Sequence, residues 1–334
     1  MCGLEKASGK VIISGEHSVV YGCPALVTSV TNCTAVKIKK SNNQYFKIFL
    51  KDIDSNLKIS YSDLKIRAKL IENKFQKFLD RKISIKDVLS DKEDLALITL
   101  YKFIEQFEIF EEKKCKNDSI IDLYFSLECT SNIPFQSGMG SSSAFIVAIL
   151  KAISSFYQII LDPQDLYRLC QNIEKFKAGN PSGVDAFIVS YGGTVLFENG
   201  KGKTHKDFSL PYQLVHTGIP IVSTGEVVMD VKDRLADSAI WNDFRNVTLD
   251  LSKAVQTNDI DLQYDCLEKN QNLLFEIGIV PKKVNDFILD LKKLGIIAKV
   301  TGAGSNRGDN AGLVMVFSDQ DLTEILKIYE YEKL

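Results

Sequence analysis

The stretch SNIPFQSGMGSSSAFIVAIL, Ser131–Leu150, joins a polar, turn-forming segment to an apolar run. Between the two lies Gly138-Met139-Gly140-Ser141-Ser142-Ser143. A helix starting here would expose unpaired backbone N–H groups and the positive end of its dipole. Glycines let that backbone approach a ligand, and hydroxyls add hydrogen bonds or a metal ligand. The loop therefore suits phosphate. A tight loop with a serine cap and no ligand is the plain alternative. Two familiar phosphate loops are excluded. From Gly3 to Lys10, five residues separate the glycines, and Val11 stands where a P-loop needs Ser or Thr. Ser143 occupies the place of the third glycine of a dinucleotide fingerprint.

The chain around this loop has 334 residues, 45% of them hydrophobic, which is enough for a substantial core and points to two domains. Charged residues make up 25% and the net charge is −2, so neither nucleic acid nor an anionic membrane is the expected partner. Seven cysteines are scattered without a CxxC or a Cys/His cluster of metal-ligand spacing. Reduced, buried thiols in a cytoplasmic protein are the expectation. The N-terminal residues lack an apolar signal core, and the apolar run Ala144–Leu150 is too short to cross a bilayer.

Strands are expected at Lys10–Ser14, Ala25–Ile38, Ile120–Cys129, Thr194–Phe197, Ile297–Thr301 and Leu313–Phe317. Ser143–Ile160 reads as a buried helix. A second helix starts at Asp162, with Pro163 in its first position and Leu166, Leu169, Ile173 and Phe176 as its apolar stripe. Further helices are expected at 94–111, 227–236, 244–256, 261–276 and 282–294. The Gly/Lys/His-rich stretch near 205 is read as a domain boundary, dividing 1–205 from 206–334.

Three other stretches bear on the loop: KASGKVIISGEHSVVYG (Lys6–Gly22), EKFKAGNPSGVDAFIVSYGG (Glu174–Gly193) and AKVTGAGSNRGDNAGLVMVF (Ala298–Phe317). With Ser131–Leu150 they resemble the GHMP kinase superfamily, and within it the mevalonate kinases, whose N-terminal motif runs close to A-P-G-K-V-I-L-x-G-E-H-x-V-V-x-G. NQNLLFEIGI, Asn270–Ile279, is similar to a helix of the same kinases. The resemblance implies an α+β, two-domain GHMP kinase fold. Its N-terminal domain would be ribosomal-protein-S5-like and bind ATP, and its C-terminal domain would be a ferredoxin-like α/β sandwich. It implies ATP and Mg²⁺-dependent phosphorylation of the primary hydroxyl of (R)-mevalonate, a step toward isoprenoid precursors. A homodimer is a further implication.

Residue by residue, the resemblance makes Asp185 the catalytic aspartate and Lys10 its active-site partner. It makes Ser142 and Glu174 the Mg²⁺ ligands, Glu174 lying eleven residues before Asp185. A hydroxyl and a carboxylate suit that ion. Ser131, Gln136, Ser137, Gly138, Met139, Gly140, Ser141 and Ser142 would contact the nucleotide, and Glu16 and His17 the substrate. Read without the resemblance, Glu174 is a solvated carboxylate off the apolar stripe. Asp185 likewise completes a capping box with Ser182. The chain departs from the family at Gln136 for Gly and Met139 for Leu, and most in the third motif. There, Gly304 is followed by Ser305-Asn306-Arg307-Gly308-Asp309-Asn310-Ala311-Gly312 instead of a glycine run. Arg307 would face phosphate, an acidic substrate or solvent. The rival readings are another GHMP kinase, acting on phosphomevalonate or a sugar, and a non-catalytic ligand sensor of the same fold.

Overall fold

A computed structural model describes residues 3–109, 123–134 and 137–334. The chain forms two compact units whose segments alternate along the sequence. The first comprises Met1–Gly9, Thr31–Ile133 and Ser142–Tyr191, and the second Lys10–Val30, Pro134–Ser141 and Gly192–Leu334. Strands β1 (Gly3–Ser14) and β2 (Ala25–Lys40) pair with each other, and each runs from one unit into the other. β2 is nearly all buried over its first six residues and then alternates buried with exposed positions. Its β-branched start is covered on both faces, and its lysine-bearing end on one.

In the first unit, β3 (Phe46–Leu50) and β4 (Ser55–Ile59) form an antiparallel hairpin. β3 lies parallel to β5 (Phe125–Ser131), which pairs antiparallel with the second half of β2. Phe46, Tyr124, Phe125, Phe156 and Tyr157 pack with ring centroids about 5 Å apart in tilted and edge-on geometries. Helices α1 (Tyr61–Leu79) and α2 (Asp94–Gln106) occupy much of the lysine-rich stretch in which the sequence shows only patches of helical periodicity. α3 (Ser141–Tyr157) is the expected buried helix, starting two residues earlier than the apolar pattern indicates. α4 (Pro163–Ala178) starts as expected: the Asp162 side chain accepts from the Asp165 N–H at 2.8 Å. α5 (Val184–Tyr191) follows after Gly183.

In the second unit, the hairpin of β6 (Thr194–Glu198) and β7 (Lys201–His205) pairs with the start of β2. A separate antiparallel sheet has the order β11-β8-β10-β9, from β8 (Gln213–His216), β9 (Ile297–Thr301), β10 (Leu313–Phe317) and β11 (Glu332–Lys333). β10 is buried at every position, which is why its sequence is uniformly apolar. Helices α6 (Thr224–Leu235), α7 (Ile240–Thr257), α8 (Ile260–Glu276) and α9 (Lys282–Lys293) enclose a core that includes Val231, Phe244, Leu274, Phe287, Leu291, Val300 and Val314. A short α10 (Thr323–Tyr329) precedes β11. Among the described residues no helix is long and apolar enough to cross a membrane.

The third motif follows β9, and Gly304 is required there on two grounds. Its φ is +60°, and a Cβ would stand 2.3 Å from the carbonyl oxygen of Ile279. Gly304→Ala should therefore destabilise the protein by about 1–3 kcal/mol or more, from left-handed strain plus the clash. Urea unfolding of the two proteins checks this; an unchanged midpoint would refute the packing described.

Candidate active site

The first cluster lies in the first unit, where α3, α4 and α5 bring four polar side chains together. Glu174 sits on α4 between Ile173 and Phe176 and is only 5% exposed. The solvated reading of Glu174 is thus corrected: the residue is turned inward, off the stripe that packs on neighbouring helices but not into water. Ser142 Oγ donates to Glu174 Oε1 at 3.1 Å, and Ser143 Oγ donates to the same oxygen. The start of α3 therefore spends two of its three hydroxyls on one carboxylate. Asp185, in the first turn of α5, is half-buried and acts on Glu174 through its charge. Ser182 Oγ accepts from the Val184 N–H at 3.4 Å at the start of the same helix.

Burial and the Asp185 charge raise the Glu174 pKa to about 6, against which the two serine hydrogen bonds and Lys177 pull it down. Lys177 acts on both carboxylates through its charge, so two acids, two hydroxyls and an ammonium share this part of the unit. Among the described residues no three His, Cys, Asp or Glu side chains form a metal cage. A cation here would take ligands from Ser142, Glu174 and groups supplied by solvent or substrate.

Ser131 lies at the end of β5 in the same unit. Its N–H donates to Asp52 Oδ2 at 2.7 Å, and its hydroxyl pairs with Thr34 Oγ1 at 3.0 Å. The sequence contains no hint of the Asp52 contact, because Asp52 belongs to a short turn between β3 and β4.

The second unit holds Lys10, Glu16, His17 and Ser137–Ser141; Gln136 lies outside the described residues. The Lys10 N–H donates to the Met139 carbonyl at 2.9 Å, which ties the first motif to the glycine loop. Gly138 and Gly140 have φ of +81° and +69°. Gly138 approaches the third motif: a Cβ on it would lie 3.5 Å from Gly302 Cα. The Ile12 N–H donates to Thr301 Oγ1 at 3.0 Å and Thr301 Oγ1 donates to the Ile12 carbonyl at 2.9 Å, so β1 and β9 are stitched side by side.

Glu16 and Lys299 form an ion pair in which both side chains are fully buried. Lys299 Nζ also donates to the Val300 carbonyl at 2.8 Å. Burial pushes the Glu16 carboxyl up and the Lys299 ammonium down, while their attraction opposes both shifts. The sequence reading turns Glu16 toward substrate. The structure turns one carboxylate oxygen onto Lys299 and leaves Oε2 buried without a protein partner. Lys299 escaped the sequence reading, although a lysine inside the apolar strand Ile-Ala-Lys-Val-Thr is itself a signal of a buried partner.

His17 has a φ of +57°, uncommon for a residue with a side chain. Its Nε2 meets the Ala303 carbonyl at 2.8 Å, and a carbonyl only accepts, so Nε2 carries the proton. Burial lowers the His17 pKa, and the Arg234 charge adds to the effect, so the ring is neutral at pH 7. Nδ1 is therefore an acceptor, buried and without a protein partner. His205 is engaged differently. Both ring nitrogens of His205 are used, on the Lys206 carbonyl and Ser252.

Residues 100–193 match the GHMP kinases N terminal domain. The structure superposes on that of the Methanococcus jannaschii mevalonate kinase with a TM-score of 0.79, covering 100% of this chain and 97% of that one at 21% identity. The chain has the GHMP kinase fold. In sequence it is 29% identical to the mevalonate kinase of Thermococcus gammatolerans, over 90% of this chain and 86% of that protein. A Lactococcus lactis galactokinase complexed with galactose shares the GHMP fold at a TM-score of 0.73 and 14% identity, so fold alone does not select the substrate.

Two outcomes follow for these clusters. Removing one partner of the buried pair, by Lys299→Met or Glu16→Gln, should cost about 3–5 kcal/mol, and the double variant should recover a large part of that loss. Denaturant unfolding of the four proteins measures the coupling; additive losses would show that the pair is not coupled. Glu174 gives a pH signature. Its folded pKa lies above its unfolded value of 4.5, so the native state holds the extra proton between pH 4.5 and 6. Stability of metal-free protein should fall by about 2 kcal/mol as pH rises through that window. Glu174→Gln should flatten that part of the profile, and an unchanged profile would remove Glu174 as its source.

Proposed function

We propose that this protein transfers the γ-phosphoryl group of ATP to the primary hydroxyl of (R)-mevalonate, giving 5-phosphomevalonate and ADP. The observation that carries this reading is the sequence relationship, which spans 90% of the chain and runs to proteins named mevalonate kinase, at 29% identity for one of them. The crystal structure of L. major mevalonate kinase in complex with R-mevalonate has the same fold, at a TM-score of 0.69 and 19% identity. We assign the protein to the cytoplasm on its reduced-thiol composition, and take the first and second domains as 1–205 and 206–334.

In this reaction the protein positions groups and neutralises charge more than it makes bonds. Asp185 would accept or orient the proton of the attacking hydroxyl, as its motif implies. Lys10 would offset charge on the phosphate or the attacking oxygen. Ser142 and Glu174 would hold Mg²⁺ with nucleotide oxygens and water. The donor set of a hydroxyl and a buried carboxylate fits that hard cation. When bound, the ion supplies charge neutralisation to the phosphates. Ser142 and Ser143 would turn Glu174 toward it, and the loop Ser137–Ser141, with Ser131, would contact the nucleotide. Neutral His17 would accept a hydrogen bond from a substrate hydroxyl, with Glu16 and its partner Lys299 keeping the turn in place.

The test is ADP release with Mg-ATP and, separately, mevalonate, 5-phosphomevalonate, galactose and homoserine. Turnover on mevalonate should dominate, and Asp185→Ala should lower kcat by at least about 10²-fold. Turnover on another alcohol would keep the mechanism and replace the substrate. Binding of ATP with no turnover on any of the four would make the protein a sensor.

A further inference from the structure

The departure at Ser305–Gly312 is not loose sequence. Ser305 N–H donates to the Ile279 carbonyl at 2.8 Å, and Ser305 Oγ donates to the Arg307 carbonyl at 2.6 Å. Asn310 Nδ2 reaches the Ile219 carbonyl at 3.3 Å, and Ile221 packs against Gly308. The loop is therefore tethered on both sides of Arg307, whose own side chain is exposed and, among the described residues, holds no ion pair.

Across from the loop stands α6. Arg234 makes a two-point contact with Asp230, Nε at 3.0 Å and an η-nitrogen at 2.9 Å, and donates to the Ile277 carbonyl at 2.9 Å. The charges of Arg234 and Arg307 both act on Asp230, and that of Asp233 acts on Tyr21. Arg234 closes on Asp230 directly, whereas Arg307 is left without an ion pair of its own among the described residues. The Arg234 charge also acts on His17 and Tyr21. The neutral polar atoms of this neighbourhood lack protein partners: His17 Nδ1, Tyr21 OH and Asn306 Oδ1 are all buried and unpaired. His17 itself is 5% exposed. Buried polar groups normally find partners, so three orphan atoms, two of them acceptors for a hydroxyl, in the unit that also carries an exposed guanidinium without an ion pair among the described residues, point to a ligand with both hydroxyl and acidic groups.

We propose that Arg307, held on the loop that Ser305 and Asn310 tether, recognises the carboxylate of the hydroxy-acid substrate, while His17 Nδ1 takes a hydroxyl of the same molecule. This rests on the mevalonate reading above and extends it to the acid end of the substrate. The guanidinium fork fits a carboxylate in two parallel hydrogen bonds, which an ammonium does not reproduce. The glycine run that the family carries here has no side chain for this task, so the subsite belongs to this chain's own third motif.

The test compares mevalonate with 3-methylpentane-1,3,5-triol, which keeps the hydroxyls and lacks the carboxylate. Arg307 is exposed, so Arg307→Met should fold normally. It should raise KM for mevalonate about 10–100-fold with kcat and the ATP KM little changed, and Arg307→Lys should recover part of the loss. On the triol, wild type and variant should behave alike. Binding is read separately from turnover. Trp241, the sole tryptophan, stacks on Tyr21 with ring centroids 4.0 Å apart, so its fluorescence should report the ligand. A shift in the ATP KM instead, an equal loss on the triol, or no change on either would overturn the subsite. Mevalonate binding that depends on Arg307 without phosphorylation would overturn the kinase reading and keep the subsite. No mevalonate binding by the wild-type chain would overturn both.

Discussion

The buried ion pair between Glu16 and Lys299 organises the second unit. Neither charge would survive alone in this interior, since each is driven toward its neutral form by burial. Together they fasten the turn after β1 to the middle of β9. Thr301 repeats the join one step along by exchanging two hydrogen bonds with Ile12. His17 follows directly, held on the Ala303 carbonyl in a left-handed conformation that an isolated peptide would rarely adopt. Two sequence motifs nearly three hundred residues apart are thereby made one structural object. The specific placement of a neutral imidazole and a free carboxylate oxygen depends on that join.

The first unit solves a related problem with opposite means. Glu174 is held by two serine hydroxyls from the start of α3, crowded by Asp185 and drawn by the charge of Lys177. In the second unit Arg234 closes on Asp230 directly. Arg307, exposed on its tethered loop, holds no ion pair among the described residues.

Shared fold among kinases of different substrates limits what architecture can say. The galactokinase superposes nearly as well as the mevalonate kinase, because the sheets and helices position motifs and the variable loops choose the alcohol. In this chain the loop most altered from the family pattern is also the one that carries an unpaired arginine. That coincidence is the basis for assigning the acid end of the substrate to Ser305–Gly312.

Much of this was determined by sequence alone. The strands at Ile297–Thr301 and Leu313–Phe317, the start of α4 at Asp162, and the four motif blocks were legible because each rests on local rules: β-branched runs, a capping aspartate, glycines at positive φ. The hairpin Phe46–Ile59 and helix α1 were not, because their strands are short and their lysines obscure the periodicity. The tertiary structure alone decided the inward turn of Glu174, since i,i+3 spacing cannot say which of two faces another helix will cover. It alone decided that Glu16 meets Lys299. Those partners lie 283 positions apart, and only packing brings such residues together.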